Sequence, residues 1–118
     1  MRTIILAIAL AIASVQNSFA DAVTVGLGSH TCAQFADQYR GNQAFDVAYN
    51  QWAEGFMSGW NLALMDSQHV YRDLNAKTYE VQAVFLHQYC DNHPLAFFFQ
   101  AAIALFATLP LKREPQSK

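Results

Sequence analysis

The sequence predicts an all-α protein: a small four-helix domain stapled by one disulfide. Three observations lead there. Apolar residues recur every three or four positions through most of the chain beyond residue 30. The stretches they form are separated by Gly41-Asn42, by a polar run at residues 66–77 and by Pro94. The chain also holds two cysteines only, Cys32 and Cys90. Three-to-four spacing marks a helix with one buried face, whereas a half-buried strand alternates every second residue.

Residues 1–20 stand apart from this pattern. Arg2 precedes an unbroken apolar stretch at residues 4–13, and Ser18-Phe19-Ala20 supplies small residues three and one positions before a cut. These are the features of a secretory signal peptide cleaved after Ala20, and the apolar core is about half the roughly 20 residues that a membrane span requires. The expected location is therefore the periplasm, with no membrane attachment once the signal is removed. That compartment is oxidising, so a count of two cysteines implies one bridge, Cys32 to Cys90, across 58 positions.

The chain that remains, from Asp21 to Lys118, is long enough for one core and too short for two. Residues 21–30, with Gly26 and Gly28 among alternating Val23, Val25 and Leu27, read as a flexible leader; the helical domain covers residues 31–110; residues 111–118 read as a polar, disordered tail. Thr31 opens the first helix, because Thr31 and Gln34 form a capping box in which each side chain takes up a backbone N–H of the other. Cys32, Phe35, Ala36 and Tyr39 then line its apolar face, and Gly41-Asn42 ends it.

The second helix is expected over residues 43–65, where Phe45, Tyr49, Trp52, Phe56, Trp60 and Leu64 give the strongest periodicity in the chain. Gly55 and Gly59 interrupt it, and each costs about 1 kcal/mol relative to Ala in a helix interior. Something should compensate. With Ser58 they would make a smooth strip against which another backbone packs; the alternative is a ligand groove among Trp52, Phe56 and Trp60. Residues 66–77 read as the main loop. A third helix follows over residues 78–92, with Val81, Phe85, Leu86, Tyr89 and Cys90 as its apolar set. The fourth is expected from Pro94, a residue suited to the first position of a helix, to residue 109. Only Gln100 and Thr108 are polar in it, so it should be buried by its own domain or by a second copy. Leu95, Phe98, Phe99, Ala102 and Phe106 are the candidate interface of a homodimer.

Several functions are disfavoured by composition. The formal net charge is −2 and the basic residues are scattered, which suits neither nucleic acid nor an anionic membrane surface. His87, Cys90 and His93 mimic a metal cluster in spacing, but on a helix the two histidines diverge and Cys90 belongs to the bridge. The same commitment removes a Cys/His nucleophile. The carboxylates are well spaced and no nucleophile elbow or phosphate loop is present. Glu54, beside the glycine pair, is the one acidic residue placed near a special feature. No catalytic activity, cofactor or metal is expected.

Three segments carry a resemblance: Thr31-Cys32-Ala33-Gln34-Phe35, the run from Trp52 to Gly59, and Tyr89-Cys90-Asp91-Asn92-His93-Pro94. Together they resemble small exported proteins of the HdeA/HdeB-like type, over residues 31–109. The resemblance implies a disulfide-stapled helical homodimer that opens in acid and acts as a chaperone (holdase) for denatured protein clients. Only Cys32 and Cys90 carry a role over, and it is structural. The second helix and the Tyr-Cys to His-Pro segment are also similar, more loosely, to Tai-type immunity proteins. That likeness implies an inhibitor or adaptor presenting a fixed surface, here residues 66–77, to one periplasmic partner. A structural envelope protein is the third expectation.

Overall fold

The computed structural model describes residues 23–116. The signal peptide expected at residues 1–20 lies outside them. Four helices make up nearly all of the regular structure: α1 (Cys32–Gly41), α2 (Gln43–Gln68), α3 (Tyr79–Asn92) and α4 (Phe98–Thr108). Two three-residue strands, β1 (Val70–Arg72) and β2 (Leu111–Arg113), form a minor antiparallel pair in which Val70 faces Arg113, Tyr71 faces Lys112 and Arg72 faces Leu111.

Local chemistry sets the helix boundaries. The Thr31 hydroxyl accepts from the Gln34 N–H at 3.1 Å while Gln34 Oε1 accepts from the Thr31 N–H at 2.8 Å, completing the predicted box. Asn42 ends α1 and caps α2, its side chain accepting from Ala44 N–H at 2.9 Å. The second helix runs three residues beyond the expected end and stops at His69, which takes the left-handed conformation with φ 55° and donates its N–H to Met65. Thr78 caps α3 through its hydroxyl.

The start of α4 departs from expectation. Pro94 does not begin the helix; residues 94–97 turn across the N-terminus of α1. The Cys32 N–H donates to Ala96 O at 2.7 Å and the Ala33 N–H to Pro94 O at 3.0 Å. The first N–H groups of a helix have no partner inside it, so this turn supplies carbonyls that α1 needs. Phe98 N–H then donates to His30 O at 2.8 Å, and Gln100 Oε1 accepts from the Phe97 N–H, fixing the start of α4 at Phe98.

Cys32 and Cys90 are bonded, both fully buried, with Cα atoms 4.7 Å apart. The bridge joins α1 to α3, as the sequence predicts. Around it lies an aromatic cluster of Phe35, Tyr49 and Phe98, all inaccessible to solvent, with ring centroids 4.6–4.8 Å apart. The Tyr49 hydroxyl sits between His30 Nδ1 and Gln38 Oε1, and burial pushes its pKa up to about 12. Ala101, Ala102, Leu105, Phe106 and Leu109 extend the core along α4.

Two segments expected to be loose are held. In the supposed leader, Gly26–Ser29 forms a turn of 3-10 helix whose Gly28 is buried against Trp52; the indole N–H donates to Val25 O at 3.2 Å. A Cβ on Gly28 would overlap the Trp52 ring, so only glycine permits this approach. In the supposed loop and tail, β1 and β2 pair. Hydrogen bonding between distant short segments is not carried by local periodicity, and three residues are too few to show alternation.

Candidate functional site

An apolar groove of about 250 Å3 opens between α2 and α4, with the β1–β2 pair at one end. Trp60 and Leu64 form one wall from α2, Ile103 and Ala107 the other from α4, and Val70, Arg72 and Leu111 close it. Phe106 is the floor: it is 2% exposed, and the Trp60 ring stacks on it at 4.5 Å. Above that floor the side chains are partly open to solvent, with Trp60 36%, Ile103 37% and Leu111 57% exposed.

Arg72 organises the closed end. Its guanidinium donates to Leu109 O at 2.7 Å and Ala107 O at 3.3 Å, satisfying carbonyls at the end of α4, and lies 5.6 Å from the centre of the Phe106 ring. Its backbone is equally fixed, because Asn61 accepts from the Arg72 N–H and donates to the Arg72 carbonyl, both at 2.8 Å. The loop behind it is tied down by buried Gln82, whose amide donates to Leu74 O and Lys77 O. Residues 66–77 thus present a fixed surface.

The strand that closes the groove is held by a Lys–Asp ion pair and a His–Glu contact as well as by its ladder. Lys112 Nζ meets Asp73 Oδ2 at 2.6 Å, and His69 Nδ1 lies 3.2 Å from Glu114 Oε2. The hydrogen bond from Lys112, followed by one from the Asn75 N–H, holds the Asp73 carboxyl below the usual carboxylate range, and the Lys112 ammonium is raised in turn. Two further pairs join helices: Arg40 of α1 to Asp91 of α3 at 2.8 Å, and Asp46 of α2 to His87 of α3 at 2.7 Å. The His87 ring also stacks on Tyr39, with centroids 4.1 Å apart.

The residues singled out from sequence are dispersed. Trp52 and Phe56 stack on each other at 5.4 Å, and Trp52 is taken up by Gly28 and Val25; of the three aromatics expected to make a groove on α2, Trp60 alone lines one. Gly55 and Gly59 correct the packing expectation. They lie on the outer face of α2, where a Cβ at either position would meet no atom within 4 Å, so no helix among the described residues approaches them. Glu54 lines a second, more polar cleft with Ser58, Lys77 and Tyr79. There, burial raises the Tyr79 hydroxyl, with smaller contributions from Asp46, Glu54 and Glu80.

The fourth helix is likewise assigned differently. Phe98, Ala102 and Phe106, three of the five expected interface residues, are buried inside the domain; Phe99 is partly buried, and Leu95 is 90% exposed in the turn before the helix. The helix packs its buried side against α2, α3 and α1, while Ile103 and Ala107 stay exposed along the groove. His93 Nδ1 donates to Tyr89 O at 2.8 Å, whereas His87 Nε2 is engaged with Asp46.

The groove residues Val70, Arg72, Ile103 and Leu111, and the clamp Asn61, were not singled out by motif or spacing. For Val70, Arg72 and Leu111 the sequence signal is the pair of short runs Val70-Tyr71-Arg72 and Leu111-Lys112-Arg113, each an apolar residue ahead of a basic one; Ile103 and Asn61 have none. Among the described residues no helix is long and apolar enough to cross a membrane. No family model, no curated protein and no solved structure matches the chain.

Proposed function

We propose that this chain is a non-catalytic protein-binding domain of the periplasm that acts as an acid-stress holdase. The groove between α2 and α4 is the surface that takes an apolar segment of a client, and acid enlarges it. The observation that supports this reading is how β2 is held: Asp73 and Glu114 supply the negative members of both side-chain contacts that fasten it over the end of the groove, the ion pair with Lys112 and a contact with His69 that is an ion pair only when the imidazole is protonated. Protonating carboxylates removes those members, and below the ordinary carboxylate range the Asp73 contribution is lost. Freed of β2, Trp60, Leu64, Ile103 and the floor at Phe106 would face solvent along the length of α4.

An acid titration tests it. The expected result is binding of a dye for apolar surface that rises between about pH 4 and pH 2 while helical structure persists, together with suppressed aggregation of an acid-denatured client. A protein that stays closed at the acid end and leaves the client to aggregate refutes the proposal.

A second reading, an immunity-type inhibitor or adaptor, draws on the rigidity of residues 66–77, where Asn61, Gln82 and Lys112 each fix part of the segment. A preformed surface binds with little ordering cost. That reading requires a stoichiometric partner in a periplasmic pull-down, lost when surface residues of this segment are replaced.

A further inference from the structure

The two edges of the small sheet are treated differently. In the ladder, the Asp73 N–H donates to Pro110 O and the Glu114 N–H to His69 O, each at 2.9 Å. With the observed register, Pro110, Lys112 and Glu114 turn their backbone groups toward β1, and Leu111 and Arg113 turn theirs away. The outer edge of β1 is closed at Arg72, since Asn61 gives it both the donor and the acceptor that a neighbouring strand would supply. The outer edge of β2 has no such clamp. Nothing among the described residues pairs with the outward N–H and C=O groups of Leu111 and Arg113, and the strand is exposed throughout. Open edges of this kind recruit another strand.

We propose that the outer edge of β2 takes an extended, acidic segment of a protein partner as a third strand, seating one of its apolar side chains in the groove between α2 and α4. The inference rests on the protein-binding reading above but concerns neutral pH, where β2 is fastened and a partner's carboxylates are ionised, and it adds the conformation and charge of what is bound there. Side chains alternate between the faces of a strand. Val70, Arg72, Leu111 and Arg113 share the face on which Val70, Arg72 and Leu111 line the groove, so every second side chain of an added strand points to that side.

Charge selects the partner. Three of the seven Lys and Arg residues of a chain of net charge −2 are gathered on this sheet: Arg72, Lys112 and Arg113. Lys112 is matched by Asp73 and Arg72 by helix-end carbonyls, whereas the Arg113 side chain has no carboxylate among the described residues. A second copy fits less well. Two β2 edges paired about their centre would set Lys112 directly against Lys112, and like charges in that position are destabilising.

The test uses the oxidised protein and two blocked peptides of about eight residues, one alternating valine with glutamate and one alternating valine with lysine. The acidic peptide is expected to bind, to slow amide exchange at Leu111 and Arg113, and to change the fluorescence of Trp60. L111P deletes an outward N–H and spares the groups that bond to β1, but it also replaces a groove-lining side chain, so Leu111→Ala is its control; L111P should bind about tenfold more weakly than that control, with similar thermal stability. R113E should weaken the acidic peptide by a similar factor, and it serves if proline disturbs the strand. The proposal is overturned if the acidic peptide does not bind, if the basic one binds equally, or if binding survives both substitutions. It is also overturned if sedimentation shows a dimer that L111P dissolves, which would give the edge to a second copy. Should the peptides fail while an acid-denatured client is still held, the strand-addition proposal falls alone; if the client is lost as well, the protein-binding reading falls with it.

Discussion

Gly55 and Gly59 sit in the middle of the longest helix and face open space, which makes their replacement the most direct test of how α2 is deployed. Both lie on the side of α2 opposite Tyr49, Ala53 and Met57, the residues it buries. A methyl group at either position meets nothing within 4 Å, so substitution carries no steric penalty. What remains is the backbone term: glycine in a helix interior is about 1 kcal/mol less favourable than alanine. Gly55→Ala and Gly59→Ala should each stabilise the fold by about that amount, and the double variant by about 2 kcal/mol. For a domain of this size about 1 kcal/mol moves Tm by about 4–8 °C, so the double variant should melt roughly 8–16 °C higher. Thermal unfolding followed by far-UV circular dichroism, with sedimentation in parallel, measures both the stability and the assembly state. A double variant that melts at or below the parent temperature refutes the reasoning, and it would mean that another chain lies against this face.

Three further outcomes follow from the same contacts. Gly28→Ala forces a Cβ into the Trp52 ring and should cost about 1–3 kcal/mol by overpacking, read by denaturant unfolding together with a shift in tryptophan emission. Replacing both Cys32 and Cys90 by serine opens a loop of 58 residues; the chain-entropy relation puts the loss at about 4 kcal/mol, so chemical denaturation should find the variant marginal or unfolded. Asp73→Asn removes a carboxylate whose pKa is lowered in the fold. A lowered value stabilises the native state above the ordinary carboxylate range and ceases to do so as pH falls below it. The variant should therefore melt below the parent at pH 7, with the difference shrinking as pH falls from 7 through and below the ordinary carboxylate range. A deficit that stays constant across that range would remove the Asp73–Lys112 pair as an acid-sensitive tie.

Much of this architecture is legible in the chain because it is local. The Thr31–Gln34 box, the Asn42 junction and the 3.6-residue periodicity from Phe45 to Leu64 are interactions within one or two turns, so residue order specifies them. The Cys32–Cys90 pairing is legible for another reason, since two cysteines permit a single bridge. A helix as apolar as α4 also announces burial, although not whose surface buries it. Phe98, Ala102 and Phe106 turn out to be covered by the domain itself.

The features that tertiary structure alone decided are those joining residues far apart. Pro94 looks like a helix start, but the N–H groups of Cys32 and Ala33 require acceptors, and the turn after Pro94 is where α1 finds them. The leader becomes part of the core because Trp52 needs a surface that only Gly28 can offer. Three-residue strands carry no periodicity of their own, so β1 and β2 exist only through each other and through the Asn61 clamp, fifty or more positions from β2. The glycines of α2 make the complementary point. Their spacing in the sequence suggested a packing strip, yet spacing fixes only which face they share, and whether anything lies against that face is settled by the rest of the fold.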